Sequence, residues 1–214
     1  MEENIDEFKR EVTENRENFK KSAPFAITPQ LEAELNKKAF ESIETFQKEC
    51  KTLRNREDEM QFGLEIFMIE PTNYVDLAVV EKENASLLKI WSIKQEWDNE
   101  WDKWKVINFK DLDVKEMEEV ASEIKFKVES LTKEEKKWKV FEIMDERMYN
   151  FLRTMELLPS LRDESMRDRH WKELRIEVKE DFDENSQEFN LEKVFSLNLI
   201  QHEEKISEIT DHAR

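Results

Sequence analysis

The stretch LLKIWSIKQEWDNEWDKW, residues 87 to 104, carries four tryptophans, and their spacing indicates the fold. Trp97, Trp101 and Trp104 follow one another at intervals of four and three residues, so they share one face of an α-helix. Further apolar residues extend this face toward the N-terminus: Val80, Leu87, Ile90 and Ile93. The pattern predicts a helix from about Asn73 to Ile107.

The predicted helix is long for a chain of this size. At 1.5 Å per residue, about 35 residues reach about 52 Å. A compact chain of 214 residues has a diameter of only about 45 Å. We therefore expect an elongated bundle of long amphipathic helices.

Glycine is nearly absent, and this excludes several fold and function classes. Gly63 is the only glycine, where average usage would give about fifteen. A GxxxxGK[ST] phosphate loop needs two glycines and a GxGxxG dinucleotide turn needs three, because the backbone must approach the phosphates closely. With only four prolines as well, the chain lacks the turn residues of β folds. The composition predicts an all-α fold without a β-sheet and without a nucleotide-binding loop.

Side chains that cap helices predict three helix starts. Asp113 with Glu116 and Thr132 with Glu135 have the spacing of capping boxes. Asn190 is placed as a cap in the segment FNLEKVFSL, which leads into a final amphipathic run, LIQHEEKISEITDHAR.

The N-terminal region predicts a separate part of the chain. An acidic amphipathic helix is followed by KSAPFAITPQ, residues 21 to 30, which contains Pro24 and Pro29. Thr28 and Pro29 have the residue types of a helix cap and first turn. We therefore divide the chain into residues 1–29, a helix with a proline-containing linker, and residues 30–214, a helical module. The last helical pattern runs to Arg214 without a stop signal, so we expect a truncated helix there.

Charge and hydropathy exclude some partners. The chain has 52 acidic and 35 basic residues, a net charge of −17, which repels the phosphates of nucleic acids. Its start is acidic, and it has no apolar run long enough for a membrane span, so we expect neither a membrane partner nor export. The single cysteine, Cys50, excludes an internal disulfide and favours a cytoplasmic location.

Catalytic and metal-ligating patterns are missing from the sequence. His170, His202, His212 and Cys50 do not have the short spacings that metal ligands show. No glycine-flanked nucleophile is present, and acid pairs are expected by chance among 52 acidic residues. We therefore predict no catalytic, cofactor-binding or metal-binding residues.

The tryptophans favour packing over ligand binding. An aromatic cage for a cation is one function of clustered tryptophans, but rings at helical spacing more often fill the space between helices. We predict a seam between crossing helices, formed by Trp91, Trp97, Trp101, Trp104 and Trp138.

The segment RDRHWKEL, residues 167 to 174, predicts a structural corner. Arg169, His170 and Trp171 are consecutive, so on a helix they point in directions about 100° apart and cannot all serve one cleft. We expect Trp171 to be buried between helices, and Arg169 and His170 to hydrogen-bond to backbone or acidic groups.

At this corner the sequence resembles a known family. LLPSLRDESMRDRHWKEL, residues 157 to 174, and FNLEKVFSLNLIQHEEKISEITDHA, residues 189 to 213, resemble the N-terminal part of the linker region of dynein heavy chains. QFGLEIF, residues 61 to 67, and the tryptophan stretch also follow that family's pattern, so the resemblance covers about residues 60 to 213. Phe-Ser-Leu-Asn-Leu is closer to the axonemal than to the cytoplasmic type. The matching signature positions are Pro159, Arg169, His170, Trp171, Phe189 and Leu191.

The resemblance implies a mechanical role. The linker of a dynein is a helical lever that lies across a ring of ATPase modules and passes force between ring and tail. This segment would then be non-catalytic, with ATP and Mg bound elsewhere in the parent motor. Its partners would be the rest of the heavy chain and other dynein subunits, with microtubules reached only through the parent. The implied location is the cytoskeleton, in the axoneme of a cilium or flagellum.

Two alternatives come from other functional classes. A spacer of two spectrin-like repeats, or another helical partner-binding module, would fit the length, although we find no repeat at half the chain length. A small helical enzyme or regulatory protein with a site assembled in space is the other alternative, and a pocket with strongly shifted titratable groups would favour it.

Overall fold

The computed structural model describes residues 2–28 and 32–213. Within these residues the chain forms eight α-helices and no strand, so the predicted all-α fold is confirmed. The helices are α1 (Glu2–Ser22), α2 (Glu32–Ile66), α3 (Val75–Trp104), α4 (Val114–Glu129), α5 (Lys139–Leu161), α6 (Asp168–Val178), α7 (Leu191–Ser196) and α8 (Glu203–Ala213). Short 3-10 helices lie at Phe109–Asp111, Glu135–Lys137 and Leu199–His202.

The described residues form two compact units. The first unit comprises Met1–Ser92 and Lys133–Phe141, and the second comprises Ile93–Thr132 and Glu142–Arg214. The predicted division into residues 1–29 and 30–214 stays a prediction. Its boundary, together with Pro29, lies outside the described residues.

Aromatic side chains join the elements of the first unit. Phe19 of α1 is fully buried, and its ring meets Phe46 of α2 edge-on with the centroids 5.0 Å apart. Phe19 also meets Phe25 in the segment after α1, at 5.4 Å, and Phe25 meets Trp138 at 5.0 Å. Phe19 of α1 is therefore covered by aromatic rings of this unit.

Hydrogen bonds hold the segment after α1 in place. The Trp91 indole N–H donates to the Pro24 carbonyl oxygen at 2.8 Å. The backbone N–H of Val140 donates to the Phe25 carbonyl oxygen at 2.9 Å. Two consecutive carbonyls of the proline-containing segment thus have partners from elsewhere in the first unit.

Helices of the second unit bury one apolar face each. The buried residues include Met117, Ala121, Ile124 and Val128 of α4, Met144, Met148, Phe151 and Met155 of α5, and Ile206 and Ile209 of α8. An ion pair joins Glu173 of α6 to Lys205 of α8 at 3.3 Å. The Glu177 carboxylate of α6 lies 2.7 Å from Nδ1 of His202, in the 3-10 helix that precedes α8.

Two of the three predicted helix starts are confirmed. The Asp113 carboxylate accepts from the Glu116 N–H at 3.1 Å, and the Asn190 side chain accepts from the Lys193 N–H at 3.0 Å. The start at Thr132 is wrong, because a 3-10 turn intervenes and α5 begins at Lys139.

The predicted end of the long helix at Ile107 is also wrong. The helix spans Val75–Trp104, since the backbone beyond it makes hydrogen bonds elsewhere in the second unit. The carbonyl oxygens of Lys105 and Ile107 accept from the backbone N–H groups of Glu192 and Leu191, each at 3.0 Å.

Candidate functional site: the aromatic corner

The first turn of α6 is held by a histidine in place of the usual acidic or amide side chain. Arg167 is the N-cap residue, in an extended conformation, and His170 occupies the third helical position. His170 Nδ1 accepts from the Arg167 backbone N–H at 3.0 Å. A Glu or Gln side chain makes this bond in a capping box. His170 therefore supplies the acceptor that fixes where α6 begins.

The other ring nitrogen of His170 faces its neighbour. Arg169 Nε lies 2.9 Å from His170 Nε2, and the His170 side chain is buried. A neutral imidazole has one acceptor nitrogen, so it accepts from only one of the two donors at a time. The two ring nitrogens of His170 thus face Arg167 and Arg169 at the start of one helix.

Trp171 lies in a group of rings that we call the aromatic corner, formed by Phe109, Trp171, Phe182 and Phe189. Trp171 meets Phe109 edge-on at 6.0 Å, and it meets Phe182 and Phe189 in the same way at 6.3 Å each. Phe182 and Phe189 are stacked at 5.1 Å with an angle of 9° between their planes. All four side chains are at most 9% exposed. The edge-to-face and stacked geometries are those that aromatic pairs favour.

Backbone pairing brings two distant segments to the aromatic corner. Asn108 and Asn190 form an isolated antiparallel bridge, and the Phe109 N–H donates to the Phe189 carbonyl oxygen at 2.8 Å. The Asn108 side chain donates to the Ser186 carbonyl oxygen at 3.0 Å. The bridge thus places Phe109 beside Phe189, although 80 positions separate them in sequence.

Two arginines hold the loops around the corner. Arg175 donates to the Phe182 carbonyl oxygen at 3.0 Å and to the Glu184 carboxylate at 2.6 Å, and its guanidinium lies 5.4 Å from the centre of the Phe182 ring. Arg162, just after α5, donates to the carbonyl oxygens of Leu112 at 2.5 Å and Lys110 at 2.8 Å. Charged hydrogen bonds to backbone carbonyls fix these loops without a ligand.

The six signature positions do not all meet. Trp171 contacts Phe189 within the aromatic corner, and Leu191 is fully buried one residue beyond the bridge. Arg169 and His170 meet each other at the start of α6. Pro159 lies in the last turn of α5 and is exposed.

The five tryptophans of the predicted seam fall into two groups. In the second unit Trp97, Trp101 and Trp104 form what we call the tryptophan cluster, together with Phe151 and Phe195. Trp91 and Trp138 lie in the first unit, where they contact Pro24 and Phe25.

Rings of the tryptophan cluster connect three helices. Trp97 meets Phe151 of α5 edge-on at 4.9 Å, and Trp104 stacks on the same ring at 5.3 Å. Phe195 of α7 stacks on Phe151 at 5.5 Å and meets Trp101 at 5.0 Å. One phenylalanine, Phe151, is thus in contact with rings from both other helices.

A buried lysine lies one turn before the tryptophan cluster. The Lys94 ammonium is fully buried and lies 2.6 Å from the Asp98 carboxylate. Arg147 of α5 lies 3.9 Å from the same carboxylate. Buried charges require such partners, so the pair orders this part of α3 and α5.

The titratable groups of the first unit do not indicate a nucleophile. Burial raises the pKa of the Cys50 thiol to about 11, so the thiol is protonated at neutral pH and is a poor nucleophile. The hydrogen bonds that the Arg54 guanidinium donates to the Glu81 carboxylate raise the pKa of Arg54. Among residues 2–28 and 32–213, no three His, Cys, Asp or Glu side chains are grouped as metal ligands would be. In the same residues, no helix combines the length and apolar character needed to cross a bilayer.

Sequence reasoning missed Phe109, Phe182, Arg162 and Arg175. Phe182 carries one usable signal, because it is the only apolar residue in the acidic loop DFDENSQE. The others have no local pattern, since their partners lie in segments that only the fold brings together.

Comparison with known proteins relates this chain to a known family. Residues 77–214 match the family model for dynein heavy chain, N-terminal region 2. Dynein axonemal heavy chain 2 of Mus musculus is 32% identical over 210 residues, which are 97% of this chain and 5% of that protein.

Two algal relatives are similar over nearly the whole chain. The dynein-1-beta heavy chain of the flagellar inner arm I1 complex of Chlamydomonas reinhardtii is 33% identical over 98% of this chain and 4% of its own length. The dynein alpha chain of the flagellar outer arm of the same organism is 28% identical, over 98% of this chain and 5% of its own. The chain thus spans about one-twentieth of the length of the curated relatives it matches.

Proposed function

Because this chain belongs to the dynein heavy chain family, we propose that it is a non-catalytic lever segment. In this proposal it is the N-terminal part of a linker, and it transmits force between the ATPase ring and the tail of a microtubule motor. The match to an N-terminal region of the family supports the assignment to a linker.

The tryptophan cluster is the observation that carries the proposal. A segment that transmits force must resist bending, and stacked rings shared by three helices oppose sliding of one helix past another. Phe151 is only 1% exposed and contacts rings from α3 and α7, so a shift of either helix would disturb both contacts. The near absence of glycine supports the same role, since few positions offer a backbone hinge.

In this role the signature and seam residues are structural. Arg169 and His170 fix the start of α6, while Trp171 and Phe189 fill the aromatic corner. The tryptophans of the predicted seam stiffen the units in which they lie. No catalytic step is assigned to any of them.

In this proposal the cofactor and the partners are those of the parent motor. ATP and Mg would be bound by the ring of the parent, and this segment would contact the rest of the heavy chain and other dynein subunits. Microtubules would be reached through the parent, and no nucleic acid or membrane is assigned as a partner. The flagellar names of the relatives support a location in the axoneme of a cilium or flagellum.

A first experiment tests the premise. Sequencing the transcript past the codon for Arg214 should reveal an open frame that leads to a GxxxxGK[ST] loop. A frame without such a loop would contradict the lever assignment.

A second experiment tests force transmission in the heavy chain that carries this segment. Trp101→Ala removes a half-buried ring that contacts Phe195, and should loosen the tryptophan cluster without unfolding it. We expect a larger fractional loss of microtubule gliding velocity than of ATP turnover. The matched control is Phe126→Ala, which removes an exposed ring of α4 and should change neither. Equal fractional losses of velocity and turnover would contradict the proposal.

A further inference from the structure

Five apolar side chains are exposed where α2 ends. Phe62 is 67% exposed, Ile66 63%, Phe67 62%, Met68 97% and Ile69 49%. Single exposed apolar residues are ordinary, but five within eight positions form a patch of the kind that marks an interaction site. We call these five residues, with Gly63, the α2-end patch.

The only glycine of the chain lies within this patch. Gly63 is in the helical part of α2 without a positive φ, and a Cβ built on it would meet nothing within 4 Å. Glycine weakens a helix relative to alanine, and no described atom of this chain requires it here. It lines a hollow of about 250 Å³ together with Ile5 and Met60. Without a Cβ, the backbone at Gly63 is open to an approaching molecule.

Met68, just after the end of α2, has a backbone conformation that is unfavourable for methionine. Met68 has a φ of 53°, in the left-handed region. Its N–H donates to the Glu65 carbonyl oxygen, and the Ile69 N–H donates to the Leu64 carbonyl oxygen, each at 3.0 Å. This is the Schellman motif, in which glycine usually occupies the left-handed position. The chain thus has an exposed methionine where stability favours glycine, and a glycine where stability favours alanine.

The charge around the patch has one sign. Residues 57 to 76 contain six acidic residues and no Lys, Arg or His. Glu57 is buried and pairs with Arg54 at 2.5 Å. The remaining five are exposed, and none pairs with a basic side chain in the described residues: Asp58, Glu59, Glu65, Glu70 and Asp76. A partner that covers the apolar side chains would bring its rim close to these carboxylates.

We propose that the α2-end patch is a docking surface for an amphipathic helix of another polypeptide. That helix presents an apolar stripe to Phe62, Ile66 and Met68, and it carries Lys or Arg along its edges to meet the acidic rim. It crosses α2 at Gly63, where the missing Cβ allows close approach, as small residues do at helix crossings. The surface is an addition to the lever role and does not depend on it.

A binding experiment with the whole 214-residue chain tests this proposal. The probe is a fluorescent peptide of about 18 residues, with Leu and Ala on one helical face and Lys elsewhere. A second probe has Glu in place of every Lys. Fluorescence anisotropy is measured for the unaltered chain and for Phe62→Ser, Gly63→Leu and Phe126→Ser. The last is the matched control, because Phe126 is 72% exposed and lies outside the patch.

We expect the Lys peptide to bind the unaltered chain and the Phe126→Ser variant equally. Binding to Phe62→Ser and Gly63→Leu should be weaker by about tenfold or more, as expected for loss of a central contact. Neither variant should melt at a lower temperature, since both sites are open to solvent. Equal binding by all variants would overturn the proposal, because attraction to the net charge alone would then explain it. Equal binding of the Glu peptide would overturn it as well.

Two further measurements identify the source of the helix. In the native complex, p-benzoylphenylalanine in place of Met68 should crosslink to a Lys- or Arg-bearing helix of a different polypeptide. A crosslink within the same chain would overturn the proposal. So would a concentration-dependent dimer of the isolated chain that Gly63→Leu abolishes, since the occupant would then be a second copy.

Discussion

The aromatic corner and the α2-end patch have similar numbers of large apolar side chains, but those of the corner are buried and those of the patch are exposed. In the corner all four rings are at most 9% exposed, and beside it the buried His170 ring accepts from the backbone N–H of the N-cap residue of α6. In the patch five apolar side chains are at least 49% exposed, and the helix end contains a left-handed methionine. Residue choice in the corner serves the fold, whereas residue choice in the patch opposes it. This difference separates a structural region from a surface that a partner is expected to complete.

The largest effect is expected from breaking the corner. Trp171→Ala removes a buried ring that contacts three other rings, and it should lower the free energy of unfolding by about 3–5 kcal/mol. Urea denaturation followed by circular dichroism measures the change. Phe126→Ala is the control, since an exposed residue should shift stability by no more than about 0.5 kcal/mol. Equal midpoints for the two variants would show that the corner does not stabilise the fold.

A smaller loss is expected when the cap of α6 is removed. His170→Ala leaves the Arg167 N–H without its acceptor, which should cost about 1–2 kcal/mol. His170→Gln keeps an acceptor at the same helical position and should recover part of that loss. The urea denaturation midpoints of the two variants distinguish a role in capping from a role in packing. If Gln and Ala are equally destabilising, the ring acts by packing alone and the capping interpretation is wrong.

How far the sequence predicts each region depends on the distance over which its interactions act. Three predictions are confirmed: the absence of strands among residues 2–28 and 32–213, the caps at Asp113 and Asn190, and the resemblance to axonemal dynein heavy chains. Composition and capping depend only on residues close together in the sequence, so they can be predicted from the sequence directly. The α2-end patch is partly local as well, because Gly63 and the acidic run are visible in the sequence although the exposure is not.

Tertiary hydrogen bonds explain what the sequence could not predict. α5 begins at Lys139 because the Val140 N–H donates to the carbonyl oxygen of Phe25, more than 100 positions away. The long helix stops at Trp104 because the next carbonyls accept from residues 191 and 192. The aromatic corner likewise joins rings from three separate segments. Helical periodicity carries no information on such partners, so helix ends and the members of the corner were missed.

A gain in stability is expected in the patch, in contrast to the losses in the corner. Gly63→Ala should raise the free energy of unfolding by about 0.5–1 kcal/mol, because alanine favours the helix and its Cβ meets nothing within 4 Å. Thermal melting of the isolated chain checks the sign. Ala121→Gly, at a fully buried position of α4, is the reverse control and should be destabilising. A loss of stability in Gly63→Ala would mean that the glycine serves the fold, and the contrast between the two regions would disappear.

A gain of similar size is expected at the end of α2. Met68→Gly relieves a left-handed conformation that costs a non-glycine residue about 1–2 kcal/mol. The extra freedom of glycine in the unfolded chain offsets about 0.5–1 kcal/mol of this gain. The variant should therefore be more stable by about 0.5–1 kcal/mol in urea denaturation. Met68→Ala separates the backbone from the side chain, because alanine removes the exposed thioether but keeps the strain. If Met68→Ala is as stabilising as Met68→Gly, the unfavourable feature of Met68 is its exposed side chain and not its left-handed backbone. If only Met68→Gly is stabilising, the left-handed backbone of Met68 is strained, and this strain lowers the stability of the chain.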